Sequence, residues 1–294
     1  MQKKFSALRI IGLLLAAVLI VYAVGIAASA ISGKAKELVY EKKDYAVSAA
    51  GIQKVRVRAR NMPVRVTPSD GGEIVIRYST CEEDPYEVSL NGGVLTLAYR
   101  NDALTQFSNW FSGIFRVFSN SNPEVDLVLP AEYAGDLQLE SSNAPVSVSG
   151  LTMAGEVRID TSNAPIEVSA VAAVLVNAHT SNGAVTLDKL AVSGTADARS
   201  SNGGLTARET VAKDRLRMET SNGRVTVDRV ASADIELRSS NGSITGNVEG
   251  KRADYTISSH TSNGDDSLGD GGKGQFKLTV QTSNGNIDIR FLGE

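Results

Sequence analysis

A four-residue polar motif, Ser239-Ser240-Asn241-Gly242, recurs with small variations seven more times in this 294-residue chain, and its regular spacing limits what the chain can fold into. The copies centre on Asn143, Asn163, Asn182, Asn202, Asn222, Asn241, Asn263 and Asn284, at separations of 20, 19, 20, 20, 19, 22 and 21 residues. Such a period marks a repeat architecture, in which one unit cannot bury its apolar face alone and a stack of them can.

Around each asparagine the apolar residues alternate. Leu137 and Leu139, Val157 and Ile159, Leu216 and Met218, Ile235 and Leu237, and Leu278 and Val280 precede it by six and four positions. Val146 and Val148, Ile166 and Val168, Val185 and Leu187, Val225 and Val227, and Ile287 and Ile289 follow it by three and five. Alternation of this kind is the mark of half-buried strands. The inward set changes parity across Ser-Asn-Gly, so the chain turns a corner there. A Ser or Thr stands on the inward face two residues before every asparagine: Ser141, Thr161, Thr180, Ser200, Thr220, Ser239, Thr261 and Thr282.

Asn-Gly between alternating strands also signals a two-residue hairpin, which needs positive φ at both residues. In two copies alanine replaces glycine and proline follows (Ala144-Pro145, Ala164-Pro165), and a residue before proline is held extended. The expectation is therefore a bend with asparagine as its left-handed residue, leading into a strand in a new direction. One such bend per coil gives an all-β solenoid of about 20-residue coils, stacked about 4.8 Å apart in parallel. A meander of antiparallel hairpins with the same period is the competing arrangement.

Ile10–Ile31 carries no charge. As a helix it spans about 33 Å, enough for a bilayer core of roughly 30 Å. Lys3, Lys4 and Arg9 precede it, which predicts one N-terminal transmembrane helix with a cytoplasmic N-terminus and everything after Lys34 extracytoplasmic. Ala28-Ser29-Ala30 also fits a signal-peptide cleavage site, and that reading too exports the rest of the chain. The expected domains are 1–33 tail and anchor, 34–53 juxtamembrane linker or short first strand, 54–130 irregular β region, and 131–294 regular repeats. Asn61-Met62-Pro63 lies in a worn copy of the repeat, and Asn91-Gly92-Gly93 predicts a true hairpin.

Of the sixteen aromatic residues, Phe107, Trp110, Phe111, Phe115 and Phe118 cluster at helical spacing in segment 107–118. They are expected to cap the solenoid or to offer a partner surface. Net charge is −3, and −6 once the three tail cations are set aside, which argues against a nucleic-acid partner. Cys81 is the only cysteine, so no intramolecular disulfide forms.

The chemistry-bearing residues do not converge in sequence. His179 and His260, the only histidines, each precede a repeat asparagine by three residues and read as solvated. Glu140, Asp160, Arg199, Glu219 and Arg238 share that outward position with His179 and read as paired surface charge. Asp265, Asp266 and Asp270 with Gly271-Gly272-Lys273-Gly274 give one imperfect copy of a calcium-binding glycine-rich repeat and read as an irregular surface loop. No catalytic residue, cofactor or metal is expected.

The chain resembles the bacterial "putative adhesin" family of domains of unknown function, described as β-strand-repeat-containing. Val125-Asp126-Leu127-Val128-Leu129-Pro130, Gly135-Asp136-Leu137-Gln138-Leu139 and the serial TSNG and SSNG copies up to Thr282-Ser283-Asn284-Gly285-Asn286-Ile287 carry the resemblance, over roughly residues 50–294. It implies an extracytoplasmic, solenoid-like domain, with some members tied to envelope-stress response, and it offers no catalytic residues. The expected function is a non-enzymatic, membrane-anchored, adhesin-like protein that binds a cell-wall polymer or an envelope signalling protein. A carbohydrate-active β-helix enzyme acting on wall polysaccharide is the alternative.

Overall fold

Consecutive copies of the repeat pair in parallel. In the computed structural model, which describes residues 39–82, 84–100 and 122–294, Val157 lies opposite Leu137 of the copy before and Val176 of the copy after. On the other side of the corner, Ile166 lies opposite Val146 and Val185. The antiparallel meander is thereby excluded for the array, and the large sheet wraps on itself in the manner of a solenoid.

Each coil has three sides. A long strand leads to the asparagine, as in Asp136–Ser141, Glu156–Thr161, Leu175–Thr180 and Thr195–Ser200. A shorter one leaves it, as in Val146–Ser149, Ile166–Ser169, Val185–Asp188 and Leu205–Arg208. A third side of two residues closes the coil, as in Thr152–Met153, Ala172–Ala173 and Ala191–Val192. Two residues are too few to show a period, so sequence alternation revealed two sides only. The inward residues form one core: Leu137, Leu139, Val157, Ile159, Val176, Ala178, Ala196 and Ala198 on the long side, Val146, Val148, Ile166 and Val168 on the short side, and Met153, Ala173 and Val192 on the third.

The array is not stacked in chain order at either end. The strand Lys54–Arg58 pairs with Asp136–Ser141 on one flank and with Val94–Tyr99 on the other. Likewise Val64–Ser69 lies between Val146–Ser149 and Val125–Pro130. The coil built from Val94–Tyr99 and Val125–Pro130 is therefore outermost. Its two strands flank segment 107–118 in sequence, and the five aromatics of that segment lie outside the described residues. Beyond this coil Glu73–Thr80 and Glu41–Ser48 add antiparallel strands, so the expected 34–53 linker contains a strand. The hairpin at Asn91 is as expected, with Gly92 and Gly93 at φ 57° and 77°.

At the other end the last two coils exchange places. Phe276–Thr282 inserts between Val225–Ser239 and Tyr255–Thr261, which leaves the Asn263 coil outermost. Polar residues at its inward positions explain the exchange. Ser259 is paired with Val280 across the ladder, and Asp266 stands where other coils have valine, leucine or isoleucine. A carboxylate inside the stack would cost several kcal/mol, so this coil has to face the end. There the Asp266 carboxylate accepts hydrogen bonds from Ser259 Oγ at 2.9 Å and from the Leu268 and Gly269 amides at 3.0 Å. Asp270 accepts from the Ser259 amide at 2.7 Å, and Gly271 exchanges backbone bonds with Ile257. The acidic glycine-rich loop is thus a cover for the exposed edge of the last strand, a common defence against edge-to-edge pairing.

All these elements belong to one unit, Tyr40–Asn101 with Pro123–Glu294. Among the described residues no helix is long and apolar enough to cross a membrane. The run Ile10–Ile31, expected to do so, lies outside the described residues.

Asp266→Ala removes an acceptor shared by three donors and is expected to destabilise the protein by about 1–3 kcal/mol. Urea unfolding should show this as a lower midpoint at unchanged slope. An unmoved midpoint would count against the capping role.

Candidate functional site

The corner asparagines form one column along the outside of the array. Each side-chain amide donates from Nδ2 to Oδ1 of the asparagine one coil nearer the N-terminal end. Asn143 donates to Asn61, Asn163 to Asn143, Asn182 to Asn163, Asn202 to Asn182, Asn222 to Asn202 and Asn241 to Asn222, at 2.6–2.7 Å. The exchanged coils continue it: Asn284 donates to Asn241 and Asn263 to Asn284, both at 2.8 Å. Nine asparagines thus share one hydrogen-bonded chain, roughly 38 Å long at the usual strand spacing.

Beneath it runs a second chain of hydrogen bonds, carried by the inward Ser/Thr. The Ser200 hydroxyl accepts from the Gly203 amide in its own coil at 2.8 Å and donates to the Gly183 carbonyl of the coil before at 2.9 Å. Thr220 does the same between Gly223 and Gly203, and Ser239 between Gly242 and Gly223. The invariably placed hydroxyl therefore satisfies the glycine amide of its own coil and the glycine carbonyl of the coil before, two backbone groups that the ladder does not pair. In the two Ala-Pro copies the pattern differs. There Ser141 and Thr161 donate to Ala144 and Ala164 of their own coils.

The glycine of the motif serves closeness rather than handedness. A Cβ at Gly203 would overlap the Gly183 carbonyl oxygen, and one at Gly223 the Gly203 carbonyl oxygen. The expected left-handed asparagine is overturned: none of the eight has positive φ. Ladder bonds carry straight through the corner instead, as from the Asn182 and Asn202 amides to Ser162 and Ser181 carbonyls at 2.9 Å. The left-handed turn comes at the following corner, at Gly150, Ala170, Lys189, Glu209 and Arg229, with φ of 71°, 51°, 55°, 44° and 52°. Residues of such different types gave no sequence signal.

The outer face of the long strands is a mosaic of paired charge. The expected column of Glu140, Asp160, His179, Arg199, Glu219 and Arg238 is in register. Its ion pairs nevertheless run mostly within a strand: Arg199 to Asp197 at 2.6 Å, Arg238 to Glu236 at 2.7 Å, and Arg217 to Glu219. Arg58 meets Glu140 across coils at 3.2 Å. His260 is exposed as expected, but His179 is not simply solvated. Its Nδ1 and Nε2 each lie 3.6 Å from a carboxylate oxygen, of Asp160 and of Asp197 respectively. Burial opposes ionisation of Asp197, yet His179 and Arg199 together hold its carboxyl below the ordinary value. Among the described residues no group of three or more His, Cys, Asp or Glu side chains could hold a metal ion. Near the N-terminal end an open cleft of about 590 Å³ is lined by residues 49–53, 132–136, 154 and 155. Its Asp136 is engaged by Lys54 at 3.3 Å and by the Glu156 amide at 3.1 Å.

The combination of three-sided coils, the asparagine column and paired outer charges extends over the region matched by a family model. That model, described as Toastrack DUF4097, matches residues 52–290. The chain belongs to this family. No curated protein matches it. Among solved structures, this Toastrack chain is similar to a putative adhesin from Bacteroides fragilis NCTC 9343, with 11% identity and a TM-score of 0.43 over 86% of this chain and 97% of that one. It is also similar to a putative adhesin from Parabacteroides merdae ATCC 43184, with 10% identity and a TM-score of 0.38 over 85% and 96%. A putative cell adhesion protein from Clostridium sporogenes ATCC 15579 has 10% identity and a TM-score of 0.27 over 86% and 100%.

Gly203→Ala in the Toastrack array should cost about 1–3 kcal/mol or more, because backbone of the preceding coil at Gly183 has to move. At Gly204 the nearest atom to an added Cβ is the Arg224 oxygen at 3.4 Å, so Gly204→Ala should stay within about 0.5 kcal/mol. Chemical unfolding of the two variants checks the contrast. Asp197→Asn tests the charge mosaic. A carboxylate with a depressed pKa adds stability above its unfolded value and loses it as pH falls through the folded one. The variant should therefore be less stable than wild type near neutrality. The gap should close below the ordinary carboxylate value of 3.8, as thermal melts across pH would show.

Proposed function

We propose that this Toastrack chain is a membrane-anchored, extracytoplasmic, non-enzymatic binding scaffold of adhesin-like type. Its anchor is the uncharged Ile10–Ile31 run, and Lys3, Lys4 and Arg9 favour a cytoplasmic N-terminus. Its partner is a wall polymer or an envelope signalling protein that reads a repeated surface.

The observation that carries this reading is the state of the outward carboxylates. Glu140, Glu219, Asp197, Asp234 and Glu236 each lie against an arginine of the same or a neighbouring coil. Glycoside hydrolysis by the usual route needs two carboxyl groups flanking one bond, one of them available as an acid. Paired charges repeated along a rod suit recognition of an extended partner, in which many weak contacts add up.

A C-terminal epitope tag on the full-length chain provides the test. It is expected in the membrane fraction and should be removable by protease added to intact protoplasts. A tag that is soluble, or protected until the cells are lysed, would overturn the anchored topology. Detergent-solubilised full-length protein should be retained by purified cell-wall material without releasing sugars from it. Release that disappears in His179→Ala would replace the scaffold with the enzyme reading.

A further inference from the structure

Six of the eight copies place asparagine directly before glycine: Asn182, Asn202, Asn222, Asn241, Asn263 and Asn284. That pair is the most prone of all to spontaneous deamidation in a flexible peptide. The backbone nitrogen of the glycine attacks Cγ of the asparagine, the N–Cγ bond forms, the Cγ–Nδ2 bond breaks, and ammonia leaves. Water then opens the cyclic imide at either carbonyl, giving aspartate or isoaspartate. The step needs a glycine nitrogen that can lose its proton and a side chain free to rotate towards it.

The array denies both conditions to four copies. The amides of Gly183, Gly203, Gly223 and Gly242 are each committed to a hydroxyl, at 3.1, 2.8, 3.1 and 2.8 Å. The side chains of Asn182, Asn202, Asn222 and Asn241 are held on both flanks, donating to one neighbour and accepting from the other. Asn284 is held on both flanks too, but the Thr282 hydroxyl is seen donating only to the Gly242 carbonyl.

Asn263 is different in each respect. The coil exchange puts it at the end of the column, where it donates to Asn284 and no further asparagine donates to it. The Thr261 hydroxyl donates to the Gly285 carbonyl, and among the described residues no hydroxyl takes the Gly264 amide. Both Asn263 and Gly264 are exposed. We propose that Asn263-Gly264 is the modification site of the array, where the folded chain converts to aspartate or isoaspartate while the interior copies are protected. The product loses the donor to Asn284 and adds a negative charge beside Asp265 and Asp266, at the cap over the last strand.

The experiment follows deamidation and isoaspartate by peptide mapping of the full-length protein incubated in mildly alkaline buffer, native and in guanidinium chloride. Asn91-Gly92, in the hairpin turn outside the array, serves as the exposed reference. In the native protein Asn263 is expected to react at least about tenfold faster than Asn182, Asn202, Asn222 and Asn241, a factor worth about 1.4 kcal/mol in barrier height. In denaturant the five rates should converge. Thr220→Val, which releases the Gly223 amide with little change of shape, should raise the Asn222 rate. The proposal is overturned if native Asn263 reacts no faster than the interior copies while Asn91 does. It is equally overturned if the same ranking persists in denaturant, which would make it a property of local sequence.

Discussion

The architecture depends on how closely one coil's backbone can approach the next at the Ser-Asn-Gly corner. The carbonyl of one glycine lies where a Cβ of the next glycine would be, and a buried hydroxyl bridges the two coils there. An ordinary corner would leave an amide and a carbonyl without partners in a place that water cannot reach, at about 1–3 kcal/mol each. Here the inward Ser or Thr supplies both missing bonds, and the outward asparagine adds a third. Three residue types, repeated at one position, keep the strands on either side in register. The aliphatic columns then stack without offset.

Much of this was legible from residues. The period and the alternation of Val157 and Ile159, or Val225 and Val227, fixed two sides of each coil and the inward set. Asn91-Gly92-Gly93 announced its hairpin. What sequence reasoning missed falls into two kinds. Asparagine tolerates positive φ and so draws the left-handed corner to itself in the sequence, whereas the left-handed residues are Gly150, Ala170, Lys189, Glu209 and Arg229. Stacking from coil to coil sets their backbone, and their own side chains have no say in it. The exchange of the last two coils was hidden for another reason. The irregular loop around Asp266 is visible in the sequence, but the alternation pattern describes a coil and is silent about its neighbours.

Of the site, the asparagine column was readable and its meaning was not. Sequence reasoning treated it as a set of bends, and the structure makes it one continuous hydrogen-bonded chain that includes Asn61 of the worn first copy. Conversely, the sequence alone reads His179 as solvated. Its position between Asp160 and Asp197 is a product of register, because those carboxylates come from the coils on either side. A rod of this kind has no natural centre. The same asparagine amide recurs at each step along it.

The displaced final segment has a consequence for how such a rod is completed. Where each coil pairs with the one before it, the stack can grow in chain order from the amino end. The stretch from Tyr255 to Leu268, however, has no proper seat until Phe276–Thr282 has arrived to lie beneath it. Closure of this end therefore waits for that strand. Without Phe276–Thr282 the strand Tyr255–Thr261 would lose the partner it pairs with, and the edge of Val225–Ser239 would lie open instead.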